Sequence, residues 1–240
     1  MAREDFADTP ALSGSWSADE RVTAFLRGVY GWMGVGLAVT AGTGWFIASS
    51  PAAIQMVVGN RGLMWILLIA QLGIVVALSA RVQQMAASTA SLLFVGYAAL
   101  TGVTLSLILV AYTGESVATT FIVTAGMFGG MAAYGSTTRR SLAGWGQFLF
   151  MGLIGVVLAS LVGIFWHSDG LQFMISSIGV IVFTGLAAYD AQRLKAMALS
   201  TSAGQIGSYT IIGALTLYLD FVNLFLMLLR FTGNRRNDWR

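Results

Sequence analysis

The chain is expected to be an all-α integral membrane protein, with seven transmembrane helices and the C-terminal helix central in the bundle. Three observations lead there. Of its 240 residues, 57% are hydrophobic and only 10% are charged, against about 25% charged in a soluble domain, too few to coat a water-facing surface. Seven apolar stretches follow one another, each near the roughly 17–25 residues that cross a bilayer. The last stretch, Ile206 to Phe231, is apolar almost all round yet carries a carboxylate, Asp220, near its middle. Gly213, Thr216, Asn223 and Met227 share its helical face, so the helix carries one narrow polar stripe. That stripe wants protein or water and not lipid, which places the helix inside the bundle.

The elements read in order as follows. Residues 1–20 are polar, acidic and contain Pro, Ser and Gly. They are expected to form a disordered tail, with no basic segment leading into an apolar run as a signal peptide would have. The first span covers Val29–Ser49 and carries a glycine run, Gly31, Gly34, Gly42 and Gly44. The second, Leu63–Ala80, is closed by Arg81. The third is Leu92–Ala111, and Glu115 separates it from the fourth, Val117–Gly135, which holds Gly126 and Gly130 at GxxxG spacing. Arg139 and Arg140 precede the fifth, Trp145–Trp166, with Ala159 and Gly163 at the same small-residue spacing. Such pairs are expected to let helices approach closely. His167 and Asp169 terminate the fifth span. The sixth, Leu171–Asp190, ends in a carboxylate, and the seventh is the Asp220 helix. The transmembrane domain is thus 21–232, followed by a basic tail, 233–240.

Basic residues set the orientation. Arg3, Arg21, Arg27, Arg81, Arg139, Arg140, Arg193 and Lys195 fall on one side, and only Arg61 lies in the loops of the other, with Glu115 and Asp169. The N-terminus is therefore expected in the cytoplasm. Seven spans place the tail with Arg235, Arg236 and Arg240 outside, against the charge rule, so its side is left open. Glu115 and Asp169 would make the outer mouth weakly attractive to cations.

Composition also excludes functions. With no cysteine and one histidine, there is no disulfide, no thiol nucleophile and no poly-histidine metal centre. Gly34-Val-Gly36 lacks the third glycine of a dinucleotide loop, and nothing indicates nucleic-acid binding. Chemistry is left to Asp190 and Asp220, which adjacent helices could bring together. Two carboxylates in hydrogen-bond reach at low dielectric resist ionising together and share a proton. They are also the hard oxygen ligands that Ca²⁺ prefers. Alternatively, Asp190 caps its helix with Arg193 as a surface partner, and Asp220 makes a structural hydrogen bond. Arg81 could pair with Asp190 at the cytoplasmic face or simply extend to the headgroups.

The motifs AAYDAQRLK and LYLDFVNLFLMLLR resemble the signature of the Bax inhibitor 1 (transmembrane Bax inhibitor motif) family, bacterial branch. FLRGVYGWMGVGLAVTAG and MAAYGSTTRRSLAGWGQFLFMGLIGVVLASLV are similar to it as well. The resemblance covers nearly the whole chain after the tail. It implies a last helix wrapped by the other six, and a pH-sensitive Ca²⁺ leak in the bacterial inner (plasma) membrane. It implies Asp190 and Asp220 as the proton-sharing, ion-binding dyad and Arg81 as latch; Thr216 and Asn223 on the polar stripe, and Arg193 three residues after Asp190, are read from their spacing as supporting polar groups. No cofactor is expected; Ca²⁺ and H⁺ would be the ions handled. Two other readings stand beside it. One is a membrane interaction protein that modulates a membrane protease or a stress response. The other is an intramembrane aspartyl protease, disfavoured because Asp220 lies in Leu-Tyr-Leu-Asp without a Gly-x-Gly-Asp context. The chain is accordingly read as a non-enzyme.

Overall fold

A computed structural model describes residues 17–166 and 168–236. Most of the expected N-terminal tail, His167 and the last four residues, Arg240 among them, lie outside the described residues. Eight α-helices follow in order: α1 Ala18–Ala48, α2 Pro51–Gly59, α3 Arg61–Arg81, α4 Ala87–Ala111, α5 Gly114–Thr137, α6 Ala143–Phe165, α7 Asp169–Ser200 and α8 Ile206–Thr232. All but α2 are long and apolar enough to cross a membrane, as the seven apolar stretches predict.

Two helices are much longer than their apolar cores. α1 begins at Ala18, where Ser17 and Glu20 form a reciprocal cap: the Glu20 amide donates to Ser17 Oγ at 3.3 Å and the Ser17 amide donates to Glu20 Oε2 at 2.8 Å. Residues 18–20 are therefore helix, not tail. Val22, Phe25, Val29 and Met33 continue its buried stripe through the charged region. α7 likewise runs ten residues beyond Asp190, with Ala191, Leu194 and Ala198 buried. Asp190 thus lies inside its helix rather than at its end. The shorter expected bounds followed the loss of hydropathy, whereas an amphipathic helix continues wherever one face still packs. α2 is an unexpected short helix between the first two spans. Ser50 caps it, Pro51 opens it, and Asn60 then caps α3 by accepting from the Leu63 amide at 3.0 Å.

α8 is the most buried helix. Of its most apolar 18-residue window 72% is buried, against 44% for α7 and less for every other span. It packs on α1, α4, α5 and α7. The second and fifth spans are less involved: α3 packs chiefly on α4, and α6 on α7. The outward faces carry large apolar side chains such as Trp65, Ile69, Leu72, Phe148 and Phe150. A surface of that kind belongs in hydrocarbon, not in water.

The expected glycine contacts are redistributed. A Cβ built on Gly126, Gly130, Gly31, Gly34 or Gly42 meets nothing within 4 Å, so these residues are not at helix interfaces. Of the expected run only Gly44 meets a partner, its Cβ position lying 3.1 Å from the Gly102 carbonyl oxygen, and the closest crossings use glycines outside the run. At Gly102 a Cβ would stand 2.6 Å from the Thr40 carbonyl oxygen where α4 meets α1, and at Gly135 it would run into the Ala188 carbonyl of α7. Spacing along one helix cannot say which face meets a partner. Gly102→Ala is therefore expected to force α1 from α4 and cost about 1–3 kcal/mol. Gly130→Ala should be neutral or gain up to about 1 kcal/mol from helix propensity. Thermal unfolding of the two variants in detergent, side by side, checks the contrast; equal destabilisation would refute it.

The C-terminal segment is fixed on the α4–α5 connection. The Thr113 amide donates to the Asn234 carbonyl at 3.1 Å, the Arg236 amide to the Ala111 carbonyl at 3.0 Å, and the Asn234 amide to Ser116 Oγ at 2.9 Å. Arg235 lies over the Tyr112 ring, 5.9 Å from its centre. The start of the tail therefore shares the face of the α4–α5 turn, which three crossings separate from the start of α1.

Candidate functional site

The two carboxylates meet at the α7–α8 contact. On α7, Phe183, Ala187, Asp190 and Leu194 make one buried stripe. On α8, Gly213, Asp220 and Met227 make another. A glycine on each side lets the helices close. A Cβ on Gly213 would lie 2.8 Å from Leu194 Cδ2, and one on Gly179 would lie 2.7 Å from Met227 Cγ. Between these two contacts Asp190 and Asp220 face each other, with their carboxyl groups at hydrogen-bonding range. Both are buried, at 8% and 6% exposure. Asp220 Oδ2 has no hydrogen-bond partner among the described residues.

The cation beside Asp190 is Arg193, one turn further along α7. Arg81, expected as the partner, is exposed at the end of α3. Ser79 and Val82 turn one face of that helix end towards Asp190. Arg81 is two residues from Ser79, so it leaves from a different face and does not line the site. Within AAYDAQRLK the labour is divided by helical face. Asp190 and Arg193 line the site, whereas Gln192 and Lys195 hold the α5–α6 connection. Gln192 Oε1 accepts from the Leu142 amide at 2.8 Å, Gln192 Nε2 donates to the Arg140 carbonyl at 2.8 Å, and Lys195 Nζ donates to the Ser136 carbonyl at 3.1 Å.

Three cavities follow one another along α8. The outermost, about 520 Å³, lies between α6, α7 and α8 and reaches Ser160, Gln172, Asn223 and Arg230. The middle one, about 540 Å³, holds Gln147, Asp190, Thr216, Asp220 and Asn223. The innermost, about 400 Å³, lies between α7, α8 and the end of α3, with Gln83, Arg193, Thr216 and Tyr209. The first two share Phe183 and Asn223; the last two share Asp190, Arg193 and Thr216. From Tyr209 to Arg230 the row covers 21 residues of helix, about 32 Å at 1.5 Å per residue, close to the roughly 30 Å hydrocarbon core. The supporting residues Thr216, Asn223 and Arg193 thus all line it. Glu115 and Asp169 line none of these cavities, and the charge at the outer one is Arg230.

Chemically, two facing carboxyl groups can share one proton or present oxygens to a hard cation. Among the described residues no cluster of three or more Asp, Glu, His or Cys exists. Ca²⁺ takes six to eight oxygens, so at this pair it would draw on water and on Thr216 and Asn223. That suits transit better than tight retention.

A second polar cluster escaped the sequence reading. On the face of α8 away from Asp220, the Tyr218 hydroxyl donates to Thr40 Oγ1 at 2.6 Å, and Thr40 Oγ1 donates to the Ala98 carbonyl at 2.9 Å. Phe94 and Tyr97 pack edge-on against the Tyr218 ring. These contacts join α8 to α1 and α4. In the sequence Tyr218 is one aromatic among many on a greasy helix, and nothing marks it as buried.

Fold and site together define a polytopic α-helical membrane protein with an acidic pair enclosed at its most buried helix. The chain belongs to the Bax inhibitor family: the family model described as "Inhibitor of apoptosis-promoting Bax1" matches residues 22–237. It is 52% identical over 215 residues to the inner membrane protein YbhL of Escherichia coli, covering 88% of this chain and 92% of that one. It is 43% identical over 216 residues to an uncharacterized protein of Borreliella burgdorferi (89% and 93% covered). An uncharacterized protein of Deinococcus radiodurans is 43% identical over 219 residues (91% and 93% covered).

Proposed function

We propose that this protein is a pH-sensitive Ca²⁺ leak of the bacterial inner membrane, gated by the Asp190–Asp220 pair. One observation carries the reading: the buried carboxyl pair lies in the middle of a row of cavities about as long as the bilayer core is thick. The inner-membrane location rests on the description of the Escherichia coli relative. The N-terminus faces the cytoplasm, because Arg21, Arg27, Arg81, Arg139, Arg140, Arg193 and Lys195 gather at that end of the helices. The start of the C-terminal tail, held on the α4–α5 turn, then faces outward despite Arg235 and Arg236.

In this reading the pair holds one proton at neutral pH. The remaining negative charge attracts Arg193, which closes the row between the middle and innermost cavities. Acid supplies the second proton, the attraction to Arg193 is lost, and the Arg193 side chain is free to swing out of the row. The same protonation removes the charge that draws Ca²⁺. Flux therefore rises as pH falls and then declines, because the two effects have opposite signs. Protons and Ca²⁺ compete for the same oxygens, and the role is transport rather than catalysis. The test is Ca²⁺ entry into dye-loaded liposomes containing the purified protein, from pH 8 to pH 5. A peaked flux above that of empty liposomes is expected. Entry no faster than into empty liposomes at every pH would overturn the proposal.

A further inference from the structure

A separate groove runs along the other side of the bundle. α1 and α5 are not packed neighbours; each packs on α8, and a cavity of about 530 Å³ lies between them. Phe221 of α8 and Phe128 of α5, stacked edge to face at 5.6 Å, form its floor. Its walls are small or apolar. Gly34 and Gly129 border it, and a Cβ on either would meet nothing within 4 Å. From Leu26 to Leu37 on α1 the groove follows eleven residues, about 16 Å of helix. That is roughly the depth of one leaflet of a 30 Å core.

The two ends differ. Leu37 and Ala125 close the deep end. At the other end the groove is lined by Tyr30 and Ser136, the Ser136 hydroxyl donating to the Ala132 carbonyl at 2.8 Å. Lys195 reaches the same turn with Nζ on the Ser136 carbonyl at 3.1 Å. That one bond leaves it two further donors. Arg27 lies one turn before Tyr30 on the same face of α1, and Arg139 and Arg140 follow the end of α5. An apolar slot one leaflet deep, with a hydroxyl pair and a cationic cluster at its shallow end, is complementary to an amphiphile with an anionic head.

We propose that the α1–α5 groove binds one acyl chain of an anionic phospholipid, with the phosphate held at Tyr30, Arg27 and Lys195. The chain lies against Phe128 and Phe221. Because Phe221 is the neighbour of Asp220 on α8, the occupied groove supports the wall opposite the acidic pair. The site stands on the groove's own geometry and does not depend on Ca²⁺ leakage.

The test is native mass spectrometry of the intact protein, extracted from vesicles with equal parts phosphatidylglycerol and phosphatidylcholine. Wild type is expected to retain one phosphatidylglycerol, several-fold in preference to phosphatidylcholine. Gly129→Leu and Gly34→Leu, which place side chains in open space, should each lose most of that retention while the protein stays folded. Arg27→Gln combined with Lys195→Gln should keep a bound lipid but bring the preference between the two head groups close to one. Equal retention of both lipids by wild type, no lipid retained by wild type, or undiminished preference in either the filled-groove or the charge-removed variants would overturn the proposal.

Discussion

Asp220→Asn is expected to flatten the pH dependence of Ca²⁺ flux while leaving the fold intact. The substitution is nearly isosteric, and an amide can still hydrogen-bond to Asp190. What it removes is one titrating group of the pair. Two carboxyl groups in contact repel strongly when both are ionised: at 4 Å and an effective dielectric of 20 the interaction is about 4 kcal/mol. With asparagine that repulsion is gone, and Asp190 no longer has a carboxylate with which to share a proton. Asp190 alone is then left to take up a proton, so the acid-driven rise seen with wild type should be flattened. The measurement is liposome flux at pH 5 to 8 with both proteins reconstituted at equal density. A pH profile indistinguishable from wild type would show that the pair is not the sensor.

Arg193→Gln should raise Ca²⁺ flux at neutral pH several-fold, whereas Arg81→Gln should leave it near wild type. Both arginines stand at the same end of the bundle, but only Arg193 lines the cavities that contain Asp190. Its side chain is exposed, so its attraction to Asp190 is screened and worth no more than about 1 kcal/mol, which converts to about fivefold. Removing it takes a positive charge out of the path of a cation and unblocks the row between the middle and innermost cavities. The same flux assay distinguishes the two arginines at pH 7.5. An increase with Arg81→Gln and none with Arg193→Gln would return the latch to the end of α3, where the family resemblance implies it.

Much of this protein was legible without coordinates. Seven apolar stretches appear as seven long helices, and Asp190 and Asp220 stand out because a carboxylate in a greasy helix is costly unless something encloses it. The stripe of Gly213, Thr216 and Asn223 was legible from helical period alone. Errors gathered where the signal was one of contrast with water. α1 and α7 continue beyond their hydrophobic cores because Val22, Phe25, Leu194 and Ala198 still find partners. A hydropathy window averages these residues with their charged neighbours. Arg81 stood out for a related reason: placing Asp190 at a helix end made every arginine at that level an equal candidate, whereas the cavities holding Asp190 are lined by Arg193.

The class, the number of crossings, the polar face of α8 and the two acids can all be read from the order of residues along the chain. These follow from the free energy of putting side chains in hydrocarbon, which depends on composition and spacing along one helix. Which neighbours each face meets emerges only from the packed bundle. It brought Asp190 to Asp220 through Gly213 and Gly179, chose Arg193 over Arg81, held Tyr218 on Thr40, kept Gly126 and Gly130 out of helix interfaces, and placed the start of the tail on the α4–α5 turn. Such pairings depend on how helices rotate and slide against one another. Inside a membrane, where lipid is as apolar as leucine, hydrophobicity does not select that arrangement; shape and hydrogen bonding do.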